Sequence, residues 1–163
     1  MSNINIRNAS IEDCQLILGF IQQLADYEKM SSDVVATVSD LETTLFGDKP
    51  AAEVIIGEYQ GKAVGFALFF HNYSTFLGQP GLYLEDLFVV PAARGKRVGK
   101  ALLCHLAKIA VQRNCGRFEW SVLDWNQPAI DFYRSIGAVG MEEWTVQRVD
   151  GEQLERLAKQ SAD

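Results

Sequence analysis

Several things are scarce in this sequence, and each scarcity excludes a class of protein. Cysteine occurs three times, at Cys14, Cys104 and Cys115, an odd count with no C-x-x-C spacing. A disulfide-stapled secreted fold is therefore a poor fit, and a chain with reduced thiols is the simplest account. The two histidines, His71 and His105, lie far apart with no nearby cysteine, so a zinc site is not expected. Only four prolines interrupt the chain. No apolar run approaches the roughly 18–20 residues that a membrane-spanning helix needs. The first residues, Met1 to Arg7, contain neither a basic segment nor an apolar one, so we expect no secretory signal and a cytoplasmic protein. Basic charge is in deficit too. Fifteen Lys and Arg against twenty-one Asp and Glu give a formal charge of −6, which disfavours nucleic-acid and anionic-membrane binding.

What remains is 163 residues of ordinary globular composition, enough for one domain with a proper core. Residues 4–7 read as a strand. Ser10 to Asp13 resembles a capping box, and Ile17, Phe20, Ile21 and Leu24 recur at helical spacing, predicting a helix to about Tyr27. A short helix is expected from Asp40 to Phe46. Val54–Gly57 and Ala63–Phe70 read as strands joined by a hairpin at Gln60-Gly61-Lys62. A loop from His71 to Gly81 then leads to a strand over Leu82–Val90, ended by Pro91. Val98, Leu102, Leu106 and Ile109 share one face of the next helix. Arg117–Leu123 reads as a strand. Asn126, Pro128 and Gly137 mark a short helix from Gln127 to Ile136. Glu143–Val149 reads as a last strand and Glu152–Lys159 as a weakly amphipathic tail. Strands and helices mixed in this order give an α/β fold.

The chemistry concentrates in residues 82–103. Between Pro91 and Lys100 lie Arg94, Lys96, Arg97 and Lys100 with no acid, a basic block in an acidic chain. The block falls at a strand-to-helix junction, where backbone N–H groups and the helix dipole favour an anion. Gly95 and Gly99 would let a phosphate approach the backbone. The run Gly95 to Ala101 is one residue short of a P-loop and has Ala101 in place of the magnesium-binding hydroxyl. Neither the dinucleotide G-x-G-x-x-G nor the hydrolase G-x-S-x-G occurs.

Arg94-Gly95-Lys96-Arg97-Val98-Gly99 resembles the R/Q-x-x-G-x-G/A signature of the GNAT superfamily of N-acetyltransferases. The stretch Tyr83 to Val89, the run Trp125 to Tyr133, and Gly137-Ala138 resemble its diamine (spermidine/spermine) and thialysine acetyltransferase branch. The likeness runs from about residue 4 to 148. It implies a single domain over 1–163, with that core and a helical tail from about 151. It also implies a GNAT fold: a mixed, mostly antiparallel sheet flanked by helices, whose splayed parallel strand pair (around 82–90 and 117–123) holds acetyl-CoA.

The resemblance further implies acetyl transfer to a primary amine of a small cationic acceptor, without metal. Glu85 would accept the amine proton and Tyr133 would protonate the leaving thiolate. The backbone at Leu87, Phe88 and Val89 would meet the thioester and pantetheine arm, with a fixed N–H for the developing oxyanion. Amides from Arg94 through Gly95, Lys96, Arg97, Val98 and Gly99 to Lys100 would take the pyrophosphate, and Asn126 would contact the pantetheine side. Tyr27, Glu28, Glu85, Asp86 and Trp125 would surround the acceptor. A homodimer is implied as well, with the tail and last strands near the interface.

Two departures stand out. Arg97 replaces the first signature glycine, which right-handed backbone at the helix start would tolerate. Ser74 replaces an acidic residue of the polyamine enzymes, which shifts weight toward a thialysine-like or other small amine. A non-catalytic acetyl-CoA sensor, or an acetyltransferase acting on protein lysines or termini, are the alternatives.

Overall fold

Alternating apolar residues build the sheet of this computed structural model, which describes residues 3–160. Five strands lie in the order β1-β2-β3-β4-β5: β1 (Ile4–Asn8), β2 (Glu53–Tyr59), β3 (Lys62–Ser74), β4 (Gln79–Val89) and β5 (Phe118–Trp120). The first three pairings are antiparallel and β4–β5 is parallel. The expected mixed, mostly antiparallel sheet is therefore present. Helices α1 (Cys14–Tyr27) and α2 (Val38–Phe46) cover one face, and α3 (Val98–Gln112) covers the other. The chain forms two compact units, one ending at Ser121 and one beginning at Val122.

Local chemistry explains most boundaries. The Asp13 carboxylate accepts from the Ser10 N–H at 2.8 Å, satisfying one donor at the entry to α1. Thr37 and Asp40 cap α2 reciprocally, at 3.2 and 2.8 Å, so this helix starts before the expected Asp40. The β2–β3 turn has positive φ at Gln60 (50°) and Gly61 (78°), the left-handed pair that suits a two-residue hairpin. At Gly57 a Cβ would come within 2.9 Å of the Val98 side chain, so the missing atom lets α3 lie close on β2. On the α1/α2 face, Phe20 stacks on Phe66 at 5.6 Å and tilts against Phe88 at 6.3 Å, amid Ile17, Leu41, Leu45, Val54 and Ile56. Truncating a ring of this kind to alanine costs about 3–5 kcal/mol.

Three expectations are corrected. The loop expected at His71–Gly81 is mostly strand, because β3 and β4 continue pairing to Ser74↔Gln79 and only residues 75–78 turn. The strand expected at Arg117–Leu123 shortens to Phe118–Trp120, since its pairing with β4 ends at Leu84↔Trp120. No strand forms at Glu143–Val149, because among the described residues the sheet ends at β5 and nothing pairs with this segment.

The second unit carries α4 (Gln127–Ser135) and α5 (Gly151–Ala158). The Asn126 side-chain oxygen caps α4 by accepting from the Ala129 N–H at 3.4 Å, and Pro128 sits in its first turn. Gly137, at φ 94°, follows its end, with Ala138 N–H returning to the Tyr133 carbonyl at 3.0 Å. Val139, Met141, Trp144 and Val146 are mostly exposed, and Leu154 and Leu157 of α5 are about half so.

Candidate acetyl-transfer site

The site is built on an irregularity in β4. Leu68 of β3 is opposite Asp86 and Phe69 is opposite Leu84, so Glu85 is the extra residue of a β-bulge. Upstream, Tyr83 pairs with Phe70 and their rings meet at 5.2 Å, on the face that Leu68 shares two residues earlier in β3. Leu68 packs against the α1/α2 cluster, so Asp86 opposite it points to that face too. Glu85, two residues after Tyr83, also belongs there. The bulge thus places two adjacent carboxylates on one face, which regular alternation forbids.

Glu28, just past the end of α1, completes an acidic group. Glu85 is exposed, whereas Glu28 and Asp86 are partly buried. Burial, reinforced by the charges of Glu85 and Glu28, pushes the Asp86 carboxyl up to about 6. Burial raises Glu28 as well. A cation entering this group would relieve both effects.

The bulge also redirects the backbone. Leu82 N–H reaches across to the Arg117 carbonyl at 3.0 Å, toward β5. Beyond the bulge the parity reverses. Val90 N–H donates to Val64 of β3 at 2.8 Å, so Phe88 and Asp86 also face β3, while Leu87 and Val89 turn their polar groups to the opposite edge. The β5 ladder has ended by then, so these groups border the slot where the parallel strands part.

The basic turn follows β4. Arg94 N–H closes on Pro91 and Lys96 N–H on Ala93. The Arg94 guanidinium folds back, donating from Nε to the Val89 carbonyl at 3.1 Å and lying 5.1 Å from the Tyr27 ring centre and 5.7 Å from that of Phe88. Gly95 (φ 79°) and Arg97 (φ 67°) are both left-handed. The expectation of right-handed backbone at Arg97 is therefore corrected: the turn needs the glycine conformation, and here an arginine adopts it. Arg97 makes no side-chain cap, and the first-turn amides of Val98, Gly99 and Lys100 have no acceptor within the helix. Lys96, Arg97 and Lys100 are exposed around them. A backbone slot leading to free-facing helix amides ringed by cations fits a thioester arm ending in a pyrophosphate.

In the second unit, Asn126 is buried, Tyr133 is half-buried with its ring 5.8 Å from that of Phe132, and Trp125 is exposed. Sequence reasoning singled out Glu85 and Asp86 but not the bulge that gives them a common face. It overlooked Tyr83, whose hydroxyl meets Ser121 Oγ at 2.8 Å. The alternation of the strand held no signal for either.

Comparison with known proteins decides the family. The model of the GNAT acetyltransferase family matches residues 21–138. The chain belongs to the GNAT acetyltransferase family. It is 37% identical to the thialysine N-epsilon-acetyltransferase of Sus scrofa, covering 97% of this chain and 99% of that one. It is 33% identical to the L-ornithine N5-acetyltransferase of Arabidopsis thaliana, over 94% and 87% of the two chains. Among solved structures, an integron cassette protein of V. cholerae matches with a TM-score of 0.81 and 32% identity over 98% of this chain and 99% of that one. This GNAT chain is an N-acetyltransferase that uses acetyl-CoA. Among the described residues no group of side chains could hold a metal ion, and no helix is long and apolar enough to cross a membrane.

Proposed function

We propose that the acceptor is a small, cationic primary amine of the thialysine or polyamine kind, and that the protein works in the cytoplasm. The observation that carries this reading is the β4 bulge, which sets Glu85 and Asp86 side by side, near Glu28, next to the slot. The pig and Arabidopsis relatives are named for thialysine and L-ornithine, both short-chain amines. Ser74, buried and with its hydroxyl accepting from the Leu77 N–H at 3.3 Å, closes the β3–β4 turn. It adds no charge to an acceptor, which favours a short amine over a long polyamine.

Asp86 and Glu28 hold the ammonium by charge, with Tyr27 as an aromatic wall. Acetyl-CoA supplies an acetyl group activated as a thioester. Glu85, directly or through water, takes the proton that the ammonium must lose before it is nucleophilic. The Leu87 N–H, fixed in advance by the bulge, donates to the carbonyl oxygen as negative charge develops. The Val89 backbone guides the pantetheine arm. The first-turn amides of α3, with the side chains of Lys96 and Lys100 beside them, hold the pyrophosphate. Tyr133 gives its phenolic proton to the departing sulfur. The role given to Tyr133, in the second unit, is the one that the family resemblance implies.

We also infer a homodimer. Val139, Met141, Trp144, Val146, Leu154 and Leu157 expose more apolar side chain than an isolated unit keeps in water. Sedimentation of the wild type and of Trp144→Asp reads this directly, with a shift to monomer in the variant.

The test of the acceptor is thiol release from acetyl-CoA with thialysine, L-ornithine, lysine, putrescine, spermidine and a lysine peptide. Selective turnover of a short free amine is expected. Preference for the peptide, or acetyl-CoA binding without turnover of any amine, would overturn the proposal.

A further inference from the structure

The β4–β5 pairing is unusually short: three residues of parallel ladder, Leu82↔Phe118, Tyr83↔Glu119 and Leu84↔Trp120. Three parallel pairs are a weak junction, since parallel pairing is less stable per residue and short strands need support from neighbours. Yet the strands must part at a defined place, because the next residue of β4 is the bulged Glu85.

One side-chain bond lies just past the last rung. The Tyr83 hydroxyl and Ser121 Oγ are 2.8 Å apart, and either can donate to the other. Tyr83 stands opposite Glu119 in the ladder, so its side chain reaches diagonally across the gap to the residue after β5. Its ring is braced by Phe70 at 5.2 Å, which fixes the direction of the phenol. Behind the sheet, the Phe118 and Trp120 rings sit 5.0 Å apart and stiffen β5. The bond lies on the face that also carries Glu85 and Asp86.

We propose that Tyr83 and Ser121 form a clamp that fixes where β5 leaves β4, and that both are positioning residues for acetyl transfer. They act through the strands by setting the distance between the Leu87 backbone and the opposite wall of the slot. The inference rests on the reading of the gap as the acetyl-CoA slot. Without the clamp the ladder frays by a rung, and the acyl end of the arm loses its fixed seat while the pyrophosphate site, built on α3, is untouched.

Four variants test this: Tyr83→Phe, Ser121→Ala, the double variant and Ser121→Thr. Acetyl-CoA binding to the wild-type chain is titrated first; its absence overturns the slot reading before any variant is made. Each hydroxyl deletion is expected to lower kcat about three- to tenfold, the range of one lost hydrogen bond. The KM for the amine and the acetyl-CoA Kd stay within about twofold, because their groups lie elsewhere. The double variant is no slower than the slower single one, as for two members of one bond. Ser121→Thr restores kcat, and amide exchange at Leu84, in the last rung, accelerates in the deletions but not in Ser121→Thr. Unchanged kcat in both deletions overturns the clamp, even if exchange accelerates, since the bond then only holds the fold. Deletion effects that multiply in the double variant overturn it too.

Discussion

Around β4 and in the turn after it, two charged groups meet opposite treatment. Asp86 and Glu28 are drawn partly into the protein, where burial raises both carboxyls and the charges of Glu85 and Glu28 raise Asp86 further. Lys96, Arg97 and Lys100 stand in solvent around a helix start. A buried charge without a partner costs stability, and a fold keeps that cost where a ligand of opposite charge offsets it. A helix N-terminus needs no such burial, because its amides point outward by geometry and exposed cations only add to their field. On the proposed roles, the acidic end discriminates among acceptors and the basic end grips the cofactor. Substitutions should separate them.

Asp86→Ala should have the largest effect. The KM for the amine should rise about 30- to 100-fold, as for a lost hydrogen bond to a charged group. The acetyl-CoA Kd, measured by titration calorimetry, should hardly move. Equal losses on both sides would break the comparison.

At the other end, Lys96→Ala combined with Lys100→Ala should weaken acetyl-CoA about tenfold at low salt, and by less as salt screens the exposed charges. The amine KM should stay constant. A salt-independent loss would mean that the turn had changed shape.

The acidic end should also respond to pH. As pH falls through about 6, Asp86 takes up a proton and the amine KM should rise. Stability moves the other way. The Asp86 carboxyl is raised in the folded chain above its ordinary 3.8, so its ionisation opposes folding at neutral pH and ceases to do so below about 4. Asp86→Asn should therefore raise Tm at pH 7, by an amount worth up to about 3 kcal/mol, and lose that advantage in acid.

The smallest effect belongs to the turn itself. Arg97 holds φ 67°, which costs an ordinary residue about 1–2 kcal/mol. Arg97→Gly should raise Tm by a few degrees, with acetyl-CoA affinity kept or slightly improved, whereas Arg97→Ala should give no gain. A large affinity loss in Arg97→Gly would show that the guanidinium itself holds phosphate.

How much of this was legible beforehand depended on how local the cause was. Asn126, Pro128 and Gly137 bounded α4 correctly because caps act within one turn of backbone. Gln60-Gly61 announced its hairpin for the same reason. Glu143–Val149 has the alternation of a strand and forms none, since a strand also needs a neighbouring edge. His71–Gly81, polar enough to read as a loop, is carried into the sheet by pairing between β3 and β4.

The residues by themselves determined the α/β class, the helix caps, the basic turn before α3 and the presence of Glu85 and Asp86 in one strand. They also carried the family likeness, because its motifs are contiguous in the chain. Only tertiary structure decided that Glu85 and Asp86 share a face, that the Leu87 and Val89 backbone turns away from β3, and that Arg97 takes a glycine's conformation. Each of these follows from register between strands or from the closure of a turn onto a helix, and register is a relation between segments that no single segment contains.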